Sequence, residues 1–287
     1  MSNKKWLYFA ITTTVLWGVW GAFIEIPEKA GFPATLGFSV WVLTLIPVAF
    51  VALKLINWNL DRNRSAIVLG MLAGLFGCGG QLILFQVLRI GPAYIVFPIV
   101  SLYPVVTIIL SVLLLKERAD RRSWIGIVLA LCAIVLLSYQ PPDSTAVSGV
   151  LWLLGATIVF LLWGVQAYIM KYGNNHGIKP ESYTVYTMLS GMILIPAALW
   201  MTDFSAPINW GGSGLYSAIL VQALNAVGFL FFAYTIRYGK AMIVVPLMAL
   251  APVVTVIISL ILYMVIPHPI ILTGMLVAFI AIYLMAE

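Results

Sequence analysis

The feature that most constrains this chain is its division into ten apolar stretches, nearly all of them long enough to cross a bilayer. A membrane-spanning helix needs about 20 mostly apolar residues. Within about 2–4 residues, the stretches are 5–27, 33–56, 65–88, 92–115, 122–139, 147–171, 180–202, 213–237, 240–265 and 268–286. Only 8% of the residues are charged, against about 25% in soluble domains. The sequence therefore predicts an all-α integral membrane protein in which lipid is the main solvent.

The basic residues predict the orientation of these helices. With the N-terminus in the cytoplasm, every one of the 15 Lys and Arg residues except Lys29 and Arg89 falls in a cytoplasmic loop or helix end. Membrane proteins keep Lys and Arg on the cytoplasmic side. Losing or adding one helix would destroy this asymmetry, so it favours ten spans with both termini cytoplasmic. The net charge of +6 thus reflects topology, and we expect no nucleic-acid partner.

An internal repeat divides the chain into two halves. Residues 89–115 match residues 237–263 at a constant offset of 148, with 14 of the 27 positions identical, including the Pro-Val-Val-Thr run. Near the start of each half, Trp17-Gly18-Val19 recurs as Trp163-Gly164-Val165. We therefore predict a first five-helix repeat at 1–141 and a second at 142–287, together forming one transmembrane domain.

Five helices is an odd number, so the second repeat must enter the membrane from the opposite side. Inverted repeats are typical of secondary transporters, whose substrate site lies near the midplane between the repeats. Alternating access follows from this symmetry, because the two halves can exchange conformations. A membrane-embedded enzyme would need deep His, Asp or Glu residues, or a Ser with a base, and the predicted helix centres contain none. A channel would more usually show pore-lining rings from an oligomer.

These features resemble the drug/metabolite transporter superfamily in its EamA-like branch. The resemblance covers the whole chain and includes the early Trp-Gly pairs, the Arg-x-Gly-Pro-Ala…Pro…Pro-Val-Val-Thr run and the ending Leu-Lys116-Glu117-Arg118. One departure is visible, because Val265 stands at the position equivalent to Glu117. The resemblance implies a central cavity lined by predicted helices 1, 3, 4, 6, 8 and 9, with helices 5 and 10 at the periphery, and the movement of small organic solutes.

Uncharged aromatic and amide side chains are the candidates for the cavity wall. At the offset of 148, Gly74 and Gly77 correspond to Gln222 and Asn225, and an asymmetric substrate would be recognised where the symmetry is broken. The alternative for these amides is an interhelical hydrogen bond. Tryptophans deep in both halves could hold an organic cation through their ring faces or stack on a flat solute. The predicted cavity residues are Trp17, Trp20, Gln81, Tyr103, Trp163, Gln166, Gln222 and Asn225.

Prolines and a pair of charges are the candidates for gating. A proline removes a backbone donor and frees the carbonyl four residues earlier, so kinks that permit gating are predicted at Pro98, Pro104, Pro246 and Pro252. Glu25 and Arg89 lie near the outer ends of their helices and could pair as an outer gate. Glu25 is also the one plausible proton-coupling carboxylate, although interfacial solvation or a structural ion pair is the simpler interpretation.

We therefore expect a secondary transporter of the plasma membrane (a bacterial inner membrane) that moves an amino acid or a similar amphipathic solute. It would act as an exporter, exchanger or facilitator. An organic cation or a lipid-like substrate is the alternative. Cys78 and Cys132 both lie in apolar stretches, so we predict no metal site, no cofactor and no catalytic residues. The expected partners are the solute and the bilayer, with the chain a monomer or a weak homodimer.

Overall fold

The computed structural model describes residues 4–90, 93–139, 151–263 and 268–286. The described ranges form α-helices with short connections, one π-helical turn at Gly212–Tyr216 and no β-strand. The helices are α1 Lys5–Phe23, α2 Glu25–Lys29, α3 Ala34–Leu55, α4 Arg64–Ile90, α5 Ala93–Ser101, α6 Tyr103–Leu113, α7 Arg121–Leu137, α8 Leu151–Asn175, α9 Pro180–Trp200, α10 Ser217–Tyr238, α11 Ala241–Met248, α12 Ala251–Tyr263 and α13 Pro269–Ala286.

Eight helical segments of the described chain are long and apolar enough to cross a membrane. They are Lys5–Lys29, Ala34–Leu55, Arg64–Leu88, Leu151–Asn175, Pro180–Trp200, Gly212–Tyr238, Ala241–Ile258 and Pro269–Ala286. Two of the ten predicted spans are shorter: Ile99–Leu113 is a short apolar helix, and α7 has 17 residues. The protein is thus a multi-pass membrane protein, and the count of ten spans stays a prediction.

The predicted fourth and ninth spans are each interrupted near the middle. The chain leaves α5 after Ser101 and starts α6 at Tyr103, and it leaves α11 after Met248 and starts α12 at Ala251. Each restart has a proline as its second residue, Pro104 or Pro252, and a proline has no N–H to continue a preceding helix but is tolerated in the first turn of a new one. The predicted first span is also divided, at Ile24 between α1 and α2.

The helices pack in pairs that connect the two halves of the chain. α3 packs against α9, α7 against α13, α4 against α8 and α9, and α1 against α10 and α12. The interrupted helices meet unequally: α6 packs against α8 and α11, α5 packs against α8, and α12 packs against α1. The halves α6 and α11 therefore contact each other, whereas α5 contacts α8 and α12 contacts α1.

The end of the bundle where α6 and α11 meet is called here the Glu117 end, and the opposite end the Glu25 end. The start of α1 lies at the Glu117 end, because a Cβ on Gly239, just after α10, would stand 3.3 Å from Cβ of Trp6. The end of α13 lies there as well, since the guanidinium of Arg122 sits 5.0 Å above the ring of Tyr283. The two described chain ends are thus at the same end of the bundle.

Candidate functional site

Trp163 of α8 is the centre of a first group of predicted site residues, the α8 cluster (Tyr103, Trp163 and Gln166 with Gly77 and Gly80). Its indole Nε1 donates to the carbonyl oxygen of Gly77 at 3.2 Å. A Cβ on Gly80 would stand 2.6 Å from the same nitrogen, so the indole lies directly on glycine backbone of α4. The ring of Tyr103 contacts it edge to face, with 6.0 Å between ring centroids. The cluster joins α4, α6 and α8.

A second group on α1, the α1 cluster (Trp17, Trp20, Gln222 and Phe232 with Gly228), repeats this arrangement. A Cβ on Gly228 of α10 would stand 2.6 Å from Nε1 of Trp17, the same approach that Trp163 makes to Gly80. The indole of Trp17 also contacts Phe232, with 5.3 Å between centroids. The two tryptophans therefore pack on facing helices at equivalent glycines, in both halves of the chain.

One difference between the clusters concerns hydrogen bonding of the indoles. Nε1 of Trp17 is buried and has no partner among the described residues. Instead, Nε1 of Trp20 donates to Oε1 of Gln222 at 3.2 Å. The amide of Gln222 also fills the space beside Gly37 of α3, where a Cβ would stand 3.5 Å from Nε2. Gln222 thus makes the interhelical hydrogen bond that was the alternative to substrate contact.

The other predicted amides keep free hydrogen-bonding capacity. Gln166 is buried against Gly77, and Gln81 and Asn225 are partly exposed. Across the described residues, none of these three side chains makes a hydrogen bond within the protein. Because a polar group in a membrane protein is costly unless it is hydrogen-bonded or solvated, these amides are available to water or to a solute.

Threonines tie the interrupted helices to their neighbours. Oγ1 of Thr107 donates to the carbonyl oxygen of Gly164 at 2.8 Å, and Oγ1 of Thr255 donates to that of Gly18, also at 2.8 Å. The two bonds are equivalent in the repeat, since the threonines match at the offset of 148 and the glycines belong to the recurring Trp-Gly-Val run. Each bond is made just after an interruption. The residue that follows Pro-Val-Val in each half therefore anchors α6 to α8 and α12 to α1.

The predicted gating residues are only partly described. The side chains of Arg89 and Pro98 lie outside the described residues. Pro104 and Pro252 lie at the helix interruptions, whereas Pro246 lies inside α11, which continues past it. Glu25 pairs with Lys29 one turn later on α2, and its side chain is 65% exposed.

Three acidic residues that were not among the predicted site residues make hydrogen bonds at the Glu117 end. Asp61, from the α3–α4 connection, accepts from the backbone N–H of Lys179 at 2.7 Å and from Oγ of Ser182 at 2.8 Å, and so caps the start of α9. Glu181, in the first turn of α9, accepts a hydrogen bond from the hydroxyl of Tyr234. The sequence shows only that an acid lies near the start of a helix, and it does not indicate which residue the acid contacts.

Glu117 is the third of these acids. Its carboxylate accepts from the backbone N–H groups of Ala241 and Met242 at 3.1 Å each, at the start of α11. It also lies 3.9 Å from Nζ of Lys171. Within the described residues, no group of three or more His, Cys, Asp or Glu side chains is placed to hold a metal ion. The residues described here thus comprise uncharged aromatic and amide side chains within the bundle, and pairs of oppositely charged side chains at the Glu117 end.

Comparison with known proteins agrees with this architecture. An "Uncharacterized transporter" of Archaeoglobus fulgidus is 25% identical over 244 residues, 80% of each chain. An uncharacterised protein of Methanocaldococcus jannaschii is 46% identical over 103 residues, 35% of this chain and 75% of its own. A solved crystal structure shares the fold, with a TM-score of 0.76 at 16% identity over 96% of this chain and 94% of that one. Residues 4–139 and 147–286 each match the EamA-like transporter family, so the chain is a membrane protein that belongs to this family, within the drug/metabolite transporter superfamily.

Proposed function

We propose that this protein is a secondary transporter that moves a small amphipathic solute, such as an amino acid, across the plasma membrane by alternating access. The observation that carries the proposal is the pair of tryptophan clusters on α1 and α8. They provide aromatic surface, and beside them Gln166 and Asn225 make no hydrogen bond within the described protein. Flat apolar groups of a solute would stack on the indoles, and its polar groups would bond to the amides.

The absence of charge from these predicted site residues favours a neutral or zwitterionic solute. A strong anion or cation would need a compensating charge inside the low-dielectric bundle. The α1 and α8 clusters contain Trp, Tyr, Gln, Phe and Gly only. The proposal places the two clusters on opposite walls of one cavity.

The alternating-access part of the proposal rests on the repeated contacts. The Trp–Gly and Thr–Gly contacts recur in both halves, which supports two inverted five-helix repeats at 1–141 and 142–287. The family match also falls into two segments, and the Methanocaldococcus jannaschii relative is about half as long as this chain. The interrupted helices pack unequally, α6 on α11 but α5 on α8 and α12 on α1. Exchange of these two arrangements would open one end as it closes the other. The proposed orientation has ten spans and both termini in the cytoplasm.

A ligand screen followed by transport tests the substrate class. The purified protein is heated with amino acids, quaternary amines, nucleosides, sugars, organic acids and lipids, each above its expected dissociation constant. A ligand at 100 times its Kd stabilises by about 2.7 kcal/mol, so we expect a raised Tm with amino acids that carry a large apolar side chain. The same compounds are then tested for counterflow in proteoliposomes.

Variants connect the ligand to the site. Asn225→Leu and Gln166→Leu should abolish the ligand-induced rise in Tm, whereas Trp200→Phe, at a side chain that is 88% exposed, should preserve it. A rise with quaternary amines alone would replace the proposal by an organic-cation carrier, and a rise with lipids alone by a lipid-like substrate. No counterflow of any stabilising compound would refute transport of that class.

A further inference from the structure

The corner between α10 and α11 is held from two sides by oppositely charged groups. Nζ of Lys171 donates to the carbonyl oxygens of Ile236 at 3.2 Å and Gly239 at 2.6 Å, at the end of α10. The carboxylate of Glu117 accepts from the first two N–H groups of α11. A cation at a helix C-terminus and an anion at a helix N-terminus both match the helix dipole. The pair therefore stabilises both helix ends at this corner.

The Glu117–Lys171 pair is largely buried, which distinguishes it from a surface ion pair. The side chains of Lys171 and Glu117 are only 10% and 9% exposed. Burying charge is unfavourable unless hydrogen bonds satisfy it, and removal of one partner leaves the other uncompensated. Nζ of Lys240 adds a bond to the carbonyl oxygen of Arg118 at 2.5 Å. The segment after α6 is thus bonded to the corner through two consecutive residues.

The opposite end does not contain the same residues. At the offset of 148, Glu117 corresponds to Val265; at the offset of 146 that relates Trp17 to Trp163, Lys171 corresponds to Glu25. Valine cannot accept from backbone N–H groups, and a carboxylate cannot donate to carbonyl oxygens. Glu25 is exposed and pairs with Lys29 along its own helix. Within the part of the chain that the structure describes, the Glu117–Lys171 arrangement therefore occurs at the Glu117 end and has no counterpart at Glu25.

We propose that Glu117 and Lys171 form a clamp that keeps the Glu117 end shut, so that the resting protein is closed at this end. The clamp joins the loop after α6 to the start of α11, and α6 packs against α11 at this place. Separation of α6 from α11 therefore requires Glu117 to leave the N-terminus of α11. The inference rests on the proposed alternating access, because only a transporter of that kind has to open this end.

A cysteine near the clamp reports its opening. Ser111 is fully buried, its hydroxyl has no described partner, and its carbonyl oxygen accepts from the N–H of Glu117 at 3.1 Å. Ser111→Cys is introduced with Cys132→Ala, and native Cys78 is kept as an internal standard, because it is fully buried. The protein in proteoliposomes is treated with N-ethylmaleimide, and labelling at both positions is quantified by mass spectrometry.

We expect Glu117→Gln and Lys171→Met to raise the labelling rate at position 111 about tenfold, an equilibrium shift of about 1.4 kcal/mol, with Cys78 unchanged. Lys171→Arg retains the positive charge and should stay close to the parent rate. Asp61→Asn is the matched control. Asp61 also caps a helix and lies near a lysine, 3.6 Å from Lys179, but it fastens α9, which packs against α3 and α4.

Three results would overturn the clamp. They are an unchanged rate at position 111 in both clamp variants, an equal rise in Asp61→Asn, and a parallel rise at Cys78 that indicates general loosening. The labelling needs no substrate, so its outcome is independent of whether the proposed solute is correct. Normal counterflow with unchanged labelling would remove the clamp and leave the transport proposal intact. Increased labelling without counterflow of the tested solutes would retain the clamp and refute the proposed solute class.

Discussion

Replacement of Gly80 by alanine tests whether the indole of Trp163 is seated on the backbone of α4. An added Cβ at residue 80 would stand 2.6 Å from Nε1 and 2.8 Å from Cδ1 of Trp163, far closer than atoms pack. The indole must move, and its bond to the carbonyl oxygen of Gly77 is then lost. Gly79 is a matched control on the same helix, because nothing lies within 4 Å of the Cβ it would gain.

The magnitude follows from two terms. Overpacking of a tight contact costs about 1–3 kcal/mol, and loss of one hydrogen bond costs about 0.5–1.5 kcal/mol. The gain in helix propensity on replacing glycine, about 1 kcal/mol, is common to both variants and cancels in the comparison. Gly80→Ala should therefore be less stable than Gly79→Ala by about 1.5–4.5 kcal/mol, measured as the free energy of unfolding in micelles.

A double-mutant cycle assigns this loss to the indole. With Trp163→Ala, the added methyl group at residue 80 meets no ring, so the difference between the alanine variants at 80 and 79 should nearly disappear. Equal stability of the two single variants would refute the seating of Trp163. A penalty at residue 80 that persists without the indole would show that some other contact causes it.

Three further predictions also concern stability. Gly228→Ala crowds Trp17 as closely as Gly80→Ala crowds Trp163, but the indole N–H of Trp17 has no described partner to lose. The loss of stability should therefore be smaller than for Gly80→Ala by about 1 kcal/mol, and a larger loss would contradict this. Thr107→Val should lower the free energy of unfolding by about 1 kcal/mol through the lost interhelical bond, and Thr107→Ser should recover most of this loss. Equal stability of Thr107→Val and the wild type would refute a contribution from the hydroxyl. A hydrogen bond from Ser123 lowers the pKa of Asp120 at the start of α7, so the Tm advantage of the wild type over Asp120→Ala should be full at pH 7. It should be lost as the pH falls below about 3.9 and through the lowered pKa, and an advantage constant over that range would refute the cap.

Features that depend on local chemistry or on repetition could be predicted from the sequence. The recurrence of the Trp-Gly-Val run indicated equivalent positions in the two halves, and Trp17 and Trp163 both pack on glycines of facing helices; that they line a cavity stays a prediction. The interruptions just before Pro104 and Pro252 fit the missing proline N–H, which cannot continue a preceding helix but is tolerated in the first turn of a new one. The kink predicted at Pro246 stays a prediction, since this proline lies inside α11, which ends two residues later at Met248.

The roles of the buried acids could not be predicted, because each depends on a partner far away in the chain. Glu117 bonds to residues 124 and 125 positions later, and Asp61 bonds to a backbone N–H 118 positions later. Sequence reasoning selected Glu25 as the carboxylate of interest because it lies near a helix end, yet Glu25 is exposed while Glu117 is nearly buried. Burial depends on how the helices pack against one another, and the periodicity of a single helix does not indicate that packing.

Gly74 and Gly77 of α4 differ in their packing from Gln222 and Asn225, which stand at the equivalent positions of α10. Gly74 and Gly77 let neighbours approach α4 closely, since a Cβ would stand 2.5 Å from Oγ of Ser190 at the first and 2.2 Å from Nε2 of Gln166 at the second. At the equivalent positions of α10, amides take up the space. Gln222 is bonded to Trp20, whereas Asn225 is partly exposed and makes no hydrogen bond within the described protein. Of the two amides that replace glycine, Gln222 therefore holds helices together, and we propose that Asn225 distinguishes the ends of a bound solute.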